Sequence, residues 1–362
     1  AMHIVHSESS CGWGGQEVRV LEEAAGMLGR GHRVTLLCAR EARIFEEAGR
    51  RGVPAAALPI ARKSLRGLAA MRAWLARNRC DVLNSHSSTD SWLAALALAG
   101  MRPRPALVRT RHISAPVPDN FATRWLYQSA TRRIVTTGER LREQLIRDNR
   151  YRPEAIVSVP TGIDLARYVP GDRAEAKARL GIEPAQACIG IVATLRSWKG
   201  HRYLVEAFAG LPHKDARLLM VGDGPGRDNL REQVERLGLR ERVLMPGNLA
   251  EVTPWLQAMD VFALPSYANE GVPQALMQAM AAGVPVISTA VGSIEELVRH
   301  EETGLMVPPQ EAAALRAAIE RLLGDTALGA RLAAAARAWV HSRYSRERML
   351  DSMEAVFRSV SA

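Results

Sequence analysis

In the stretch SYANEGVPQALMQAMAAGVPVIS (266–288), Glu270 stands eight residues before Gln278, with a helix start between them. Pro273 suits the first turn of a helix and Gly283 its stop, so the spacing predicts a helix over 273–282. The amides of Gly271 and Val272, with Pro273 opening the helix, would then form a mouth that favours hydroxyls and anions. Glu270 beside those donors could accept hydrogen bonds from sugar hydroxyls, and Gln278 two turns on could hold one more pair. The plain alternative is a Glu270 that only caps the helix.

Other residues carry matching chemistry. In GWGG (12–15), Gly14 and Gly15 would let backbone amides approach a diphosphate with no side chain between, although the spaced GxGxxG of a dinucleotide binder is absent. Arg196 in ATLRSWKGHRYLVEAF (193–208) could grip phosphate with its planar fork, or be an ordinary solvated loop charge. His86 closes the strand-like DVLNSH and is either a functional group or a polar cap over SSTD. Arg109, Arg111 and His112 end the next strand-like run in RTRH, where they read as surface charge or as acceptor-binding groups.

Positioning these residues takes two α/β units. HIVH, RVTLLC, DVLNSH, ALVRTR and RIVTT read as strands in the first half, and CIGIVAT, RLLMVGD, RVLMPG, VFALP and PVIST in the second, with helical periods between them. SVPTGIDLARYVPGDR (158–173), with two prolines and two glycines, reads as the linker. Domains are expected at 1–168 and 169–344, with a last helix over 345–362 crossing back to the first; its apolar stripe is Met349, Met353, Val356 and Phe357. The helical stretch 61–79 sets Leu65, Leu68, Met71 and Trp74 against six basic residues, which suits a membrane surface but suits core packing better.

Charge is unevenly placed. Residues 1–170 hold 26 Lys+Arg against 15 Asp+Glu, whereas the rest hold 22 against 23, so the formal net charge of +10 lies in the first half. No nucleic-acid motif accompanies it, so the partners it implies are an anionic membrane surface or a phosphorylated acceptor. Four scattered cysteines without a CxxC pair point to neither metal nor disulfide and to a reducing cytoplasm. The longest apolar run, WLAALALAGM, is too short to span a bilayer.

Taken together, NEGVPQALMQAMAAGVPVI, GWGGQEVRVLEEAAGMLGRGHRVTLL, ATLRSWKGHRYLVEAF, LLMVGDGPGRDNL and HEETGLMVPP resemble the retaining GT-B glycosyltransferases of family 4, over nearly the whole chain. The resemblance implies a GT-B fold: two Rossmann-like doubly wound domains facing a central cleft, the first for acceptor and the second for nucleotide sugar. It implies sugar transfer from a nucleoside diphosphate donor with retention, a UDP-sugar first and a GDP- or ADP-sugar as alternatives, without cofactor or metal. His86 would be the active-site histidine and Glu270 its partner in catalysis, while Lys199, the glycine loop and residues 271–273 would hold the donor. The sequence departs from the pattern twice. Thr194 stands where the family has the arginine five residues before Lys199, leaving Arg196 as its substitute, and Gln278 replaces the second carboxylate, which holds the ribose. The expected acceptor is a glycan or lipid-linked saccharide of lipopolysaccharide or another envelope glycan, met in the cytoplasm or at the inner face of the membrane. A sugar-nucleotide 2-epimerase or a non-catalytic sugar-nucleotide-binding subunit would share these features.

Overall fold

The structure is a computed structural model and describes residues 1–361. The chain divides into two compact units, 1–161 with 347–362 and 162–346. The division falls a few residues before the 168/169 boundary expected from composition. Its cause is local: Ile163 N–H donates to Tyr344 O at 2.9 Å and Arg346 N–H to Ile163 O at 2.9 Å, which ties the linker to the second unit.

The first unit is a seven-stranded parallel sheet. Its strands are β1 (His3–Glu8), β2 (Arg33–Cys38), β3 (Ala55–Ala57), β4 (Val82–Ser85), β5 (Ala106–Arg111), β6 (Arg133–Thr136) and β7 (Ile156–Ser158), in the order β3-β2-β1-β4-β5-β6-β7. Side chains alternate across a sheet, so neighbours in sequence enter different cores. Ile4, Val82 and Val108 join the helix Gly15–Gly29 and the final helix Arg346–Ser361, whereas Val5, Leu83 and Leu107 pack with the helix Ser88–Leu98. Met349, Met353, Val356 and Phe357 are all buried in the first of these layers.

The second unit repeats the design with β8 (Cys188–Val192), β9 (Arg217–Val221), β10 (Val243–Gly247), β11 (Val261–Leu264), β12 (Val286–Ser288) and β13 (Leu305–Met306), in the order β10-β9-β8-β11-β12-β13. In each unit the order reverses beside its first strand, between β1 and β4 and between β8 and β11. The crevice beyond the carboxyl ends of such strands is where open α/β sheets bind ligands. Strands β3, β7 and β13 carry two or three residues each, too few for a periodic signal, and lie at or next to sheet edges.

Two helices differ from expectation. The helix beside Glu270 runs Gln274–Ala281, and Pro273 is its N-cap rather than its first residue because its ψ of 128° is extended. Gly283 follows the C-cap Ala282 with φ +76°, a turn that glycine adopts without strain. The basic helix is Leu65–Arg77, its Ser64 side chain accepting from Gly67 N–H at 3.0 Å. It buries Gly67, Met71 and Leu75, while Leu65, the first member of the expected stripe, is 85 % exposed.

Candidate functional site

At the reversal point of the second unit, the loops after β8 and β11 hold Lys199 and Glu270 together. Lys199 Nζ donates to Glu270 Oε1 at 2.6 Å, and Ser266 Oγ donates to the same oxygen at 2.7 Å. Glu270 thus spends its charge on Lys199, while Pro273, the N-cap of Gln274–Ala281, offers no capping side chain of its own. Backbone contacts fix both loops. Tyr267 N–H donates to Trp198 O at 2.8 Å, and Gly200, at φ +80°, lies so close to Pro265 that a Cβ would stand 2.1 Å from its carbonyl oxygen. Gly292 does the same under Glu270, where a Cβ would stand 2.0 Å from the Glu270 carbonyl oxygen. Neither glycine has room for a side chain, so the loops close on each other.

Around this pair the remaining residues fall into place. Gly271 and Val272 are buried beside Glu270, and Gly271 O accepts from Ser293 N–H at 3.1 Å. Gln278 is half-buried on the helix, and its side-chain amide has no protein partner among the described residues. Thr194 is half-buried, its carbonyl accepting from Arg196 N–H at 2.8 Å. Arg196 is exposed with its guanidinium 5.7 Å from the Trp198 ring centre, a cation–π contact that leaves all its donors usable.

The first unit gathers the other residues at its own reversal point. Gly14 is the N-cap of the helix Gly15–Gly29 and has no side chain with which to cap it. Neither Gly14 nor Gly15 has left-handed backbone, so local conformation does not demand glycine there. A pocket of about 470 Å³ beside them is lined by Gln16, Lys63, His86, Arg109, Arg111 and His112 among others, and no carboxylate lines it. Arg109 is buried, with Nη1 on Thr110 O and Nε without a partner. Arg111 Nη1 donates to the Tyr127 hydroxyl at 3.2 Å. Although burial works against the phenolate, Arg109 and Arg111 bring the Tyr127 hydroxyl down to about 8. His86 and His112 are in contact, Nδ1 to Nε2 at 2.9 Å, and burial holds both well below the usual histidine range.

Several buried polar groups here gave no signal in the residue patterns read above. Glu8 accepts from Gln16 Nε2 at 2.7 Å, Ser87 Oγ at 2.5 Å and Ser10 N–H at 2.9 Å. Asp90 accepts from Ser7 Oγ at 2.7 Å, Ser9 Oγ at 2.9 Å and His86 N–H at 3.0 Å, so it fixes the strand end that carries His86. The available signal was polar residues in a strand central to the sheet, since His6, Ser7 and Glu8 are all buried on β1.

Burial, with Asp90 and Glu17 nearby, raises the Glu8 carboxyl to about 8. A raised carboxyl favours the protonated native state, so its cost is absent below the unfolded value and grows as pH rises towards 8. Thermal melts of Glu8→Gln should therefore match the parent near pH 4 and exceed it near pH 8; a constant difference across that range would contradict the shift.

Among the described residues no group of three or more His, Cys, Asp or Glu is placed to hold a metal ion, and no helix is long and apolar enough to cross a membrane. Residues 13–167 match the family described as Glycosyltransferase Family 4, and residues 172–339 match Glycosyl transferases group 1. The D-inositol 3-phosphate glycosyltransferase of Nocardia farcinica is 33% identical over 299 residues, which is 78% of this chain and 63% of that relative. The chain thus spans less than two thirds of the length of the curated relatives it matches. The crystal structure of Anabaena HepE in complex with UDP-glucose is similar with a TM-score of 0.88 at 22% identity, over 99% of this chain and 100% of the other. WaaG, a glycosyltransferase involved in lipopolysaccharide biosynthesis, is similar with a TM-score of 0.74 at 18% identity, over 96% and 99%. These structures share the fold, and the GT-B expectation holds. Two family matches that together take in nearly all of the chain place it among the group 1, family 4 glycosyltransferases.

Proposed function

We propose that the protein transfers a sugar from a nucleoside diphosphate sugar, held in the second unit, to an acceptor carrying an anionic group, held in the first. The observation that carries the donor side is the Lys199–Glu270 pair beside the N-terminus of Gln274–Ala281 at the reversal point between β8 and β11. The donor diphosphate would take up Lys199, Arg196 and the amides of Gly271 and Val272, with Thr194 alongside and Pro273 setting the helix mouth. UDP is the preferred nucleotide, in keeping with the HepE complex.

The acceptor side rests on the pocket where Arg109, Arg111, Lys63 and His112 meet no lining carboxylate. Planar guanidinium groups suit phosphate or carboxylate. The Nocardia relative is named for a phosphorylated acceptor, which supports the same class here. A lipid-linked or envelope saccharide of that charge, as in lipopolysaccharide synthesis, is the proposed acceptor.

In the step itself the acceptor oxygen bonds to the anomeric carbon as the bond from that carbon to the diphosphate breaks. The hydroxyl proton passes to the leaving phosphate oxygen, and the products are glycosylated acceptor and nucleoside diphosphate. The His86–His112 pair orients the reacting hydroxyls and Glu270 holds those of the sugar. Retention through two carboxylates would need a pair flanking the scissile bond, and Glu270 is the one carboxylate proposed there, so front-face departure is the proposed route. The positive charge of Lys199 and Arg196 with the helix amides stabilises the leaving group without requiring a metal ion.

Incubation with labelled nucleotide sugars and phosphorylated or envelope acceptors tests the reading. Label moving to acceptor supports it, label changing epimer without acceptor favours a 2-epimerase, and label bound but unchanged favours a binding subunit. Within this reading Gln278 contacts the ribose through its free amide. Gln278→Glu should change donor KM by no more than about tenfold, or about 1.4 kcal/mol, and Gln278→Ala should raise it further. An unchanged KM in Gln278→Ala would take this position out of the donor site.

Peripheral contact with an anionic membrane is proposed at the rim of the same pocket. Lys63 and Thr123 line it, and two residues from each stand Leu65 and Phe121, 85 % and 89 % exposed. Basic side chains beside exposed apolar ones suit a lipid surface. Vesicle binding should rise with anionic lipid and fall with salt, and indifference to both would contradict it.

A further inference from the structure

Behind the pocket lies a third histidine. His6 Nδ1 meets His86 Nε2 at 2.9 Å, and His86 Nδ1 meets His112 Nε2 at 2.9 Å, so three imidazoles form one hydrogen-bonded chain. The chain follows from register. His6 lies opposite Asn84 on β4, and Ser85 lies opposite Arg109 on β5. Each histidine thus stands two residues further along the next strand, on the face covered by the helix Gly15–Gly29.

The inner end of the chain is a buried ion pair. His6 Nε2 has no hydrogen-bond partner and lies 3.9 Å from Glu23 Oε1. Glu23 Oε2 in turn meets Arg19 Nε at 3.5 Å, and both side chains are fully buried. Asn84 Nδ2 donates to Glu23 Oε1 at 3.4 Å; its orientation is set by the Thr110 hydroxyl, which donates to Asn84 Oδ1 at 2.8 Å.

Proton counting limits what such a chain can do. Burial lowers all three histidines, His6 to about 3, so each ring is neutral and carries one N–H. Two of the three hydrogens fill the contacts between rings. The third must sit at one end, on His6 Nε2 facing Glu23 or on His112 Nδ1. The rings are therefore all protonated at Nε2 or all at Nδ1, and the choice is made at the inner end. Burial pushes the Glu23 carboxyl up while Arg19 beside it holds it down, and because the fully buried Arg19 needs an anion as its partner we take Glu23 as ionised. An ionised carboxylate accepts and does not donate, so His6 Nε2 must carry the hydrogen.

We propose that His6 and Glu23 are positioning residues that hold His86 and His112 in the Nε2-protonated form, so that His112 Nδ1 is kept free of hydrogen. In the transfer reaction proposed above, on which this consequence rests, that nitrogen is available to accept a hydrogen bond from a substrate hydroxyl. Neither residue belongs to the pocket lining. Their effect reaches His112 only through the imidazole chain.

Nitrogen-15 NMR of ring-labelled histidines reads the form of each ring directly, without substrate or turnover. The expected result is that His6, His86 and His112, assigned by single substitution, all show the Nε2-protonated signature. Glu23→Gln removes the anion and should shift His112 to the other form or to a mixture. His6→Ala, which leaves the Arg19–Glu23 pair whole, should also release His112 into a mixture of forms, with nucleoside diphosphate affinity unchanged. If transfer is established, His6→Ala should lower kcat by about tenfold or more while acceptor KM stays within twofold, because orientation and not binding is lost. A parent protein with Nδ1-protonated or mixed rings overturns the proposal, as does a His112 signature unmoved in folded His6→Ala. Loss of folding in Glu23→Gln leaves His6→Ala to decide. Absent transfer with the expected NMR result would contradict the proposed reaction and leave the positioning role standing.

Discussion

Lys199→Ala should lower both stability and diphosphate affinity, while Glu270→Ala should cost much less stability. The two sides of the pair differ in exposure, 18 % for the Lys199 side chain and 4 % for Glu270. Removing the lysine strands a carboxylate that has little water to turn to. Breaking a buried pair from one side costs about 3–5 kcal/mol, and the residual exposure of Lys199 places this pair near the lower figure. Removing the glutamate leaves a flexible ammonium that can swing into solvent, for about 1 kcal/mol. Denaturant melts measure both. For the ligand, a lost charge-assisted contact is worth about 1.5–3 kcal/mol, so nucleoside diphosphate should bind about 10- to 100-fold more weakly to Lys199→Ala. Equal stability losses in the two variants would contradict the pair geometry, and unchanged affinity would move the donor elsewhere.

His86→Ala should abolish most transfer and leave donor binding intact. The His86 ring touches His6 on one side and His112 on the other, and it lies in a different unit from Lys199. Truncation removes the middle of the imidazole chain, so His112 loses the contact that fixes it. Misplacement of a catalytic group by about 1 Å can cost about 10²-fold in rate, and a loss of that order or more is expected in kcat. The helix that follows keeps its anchor, because Asp90 also accepts from Ser87 N–H at 3.0 Å, so the fold should persist. Parental transfer rates in a folded His86→Ala would remove His86 from the mechanism.

Legibility in the sequence followed the length of the elements and the range of the contacts. Strands such as RVTLLC and ALVRTR, and the stripe of Met349, Met353 and Phe357, carry enough periodic residues to be read locally. β3, β7 and β13 do not. The neighbours of Glu270 in sequence suggest a group that takes sugar hydroxyls or caps the helix; its partner Lys199 is 71 residues away, and only the pairing of β8 with β11 brings the two loops together. The imidazole chain was hidden for the same reason. HIVH, DVLNSH and RTRH each end in histidine, but only the order β1-β4-β5 makes those ends neighbours. Burial of Arg19 and Glu23 is equally silent in sequence, since charged residues on a helix face ordinarily meet solvent.

The most direct test of the donor site is a backbone amide NMR titration with UDP and a UDP-sugar. The expected result is that the largest shifts fall at Thr194 to Gly200 and at Glu270 to Gln278, with Gly271 and Val272 among them, and that they weaken together in Lys199→Ala. Saturating ligand that shifts other residues while leaving both of those segments unmoved would contradict a nucleotide sugar held at the Lys199–Glu270 helix mouth.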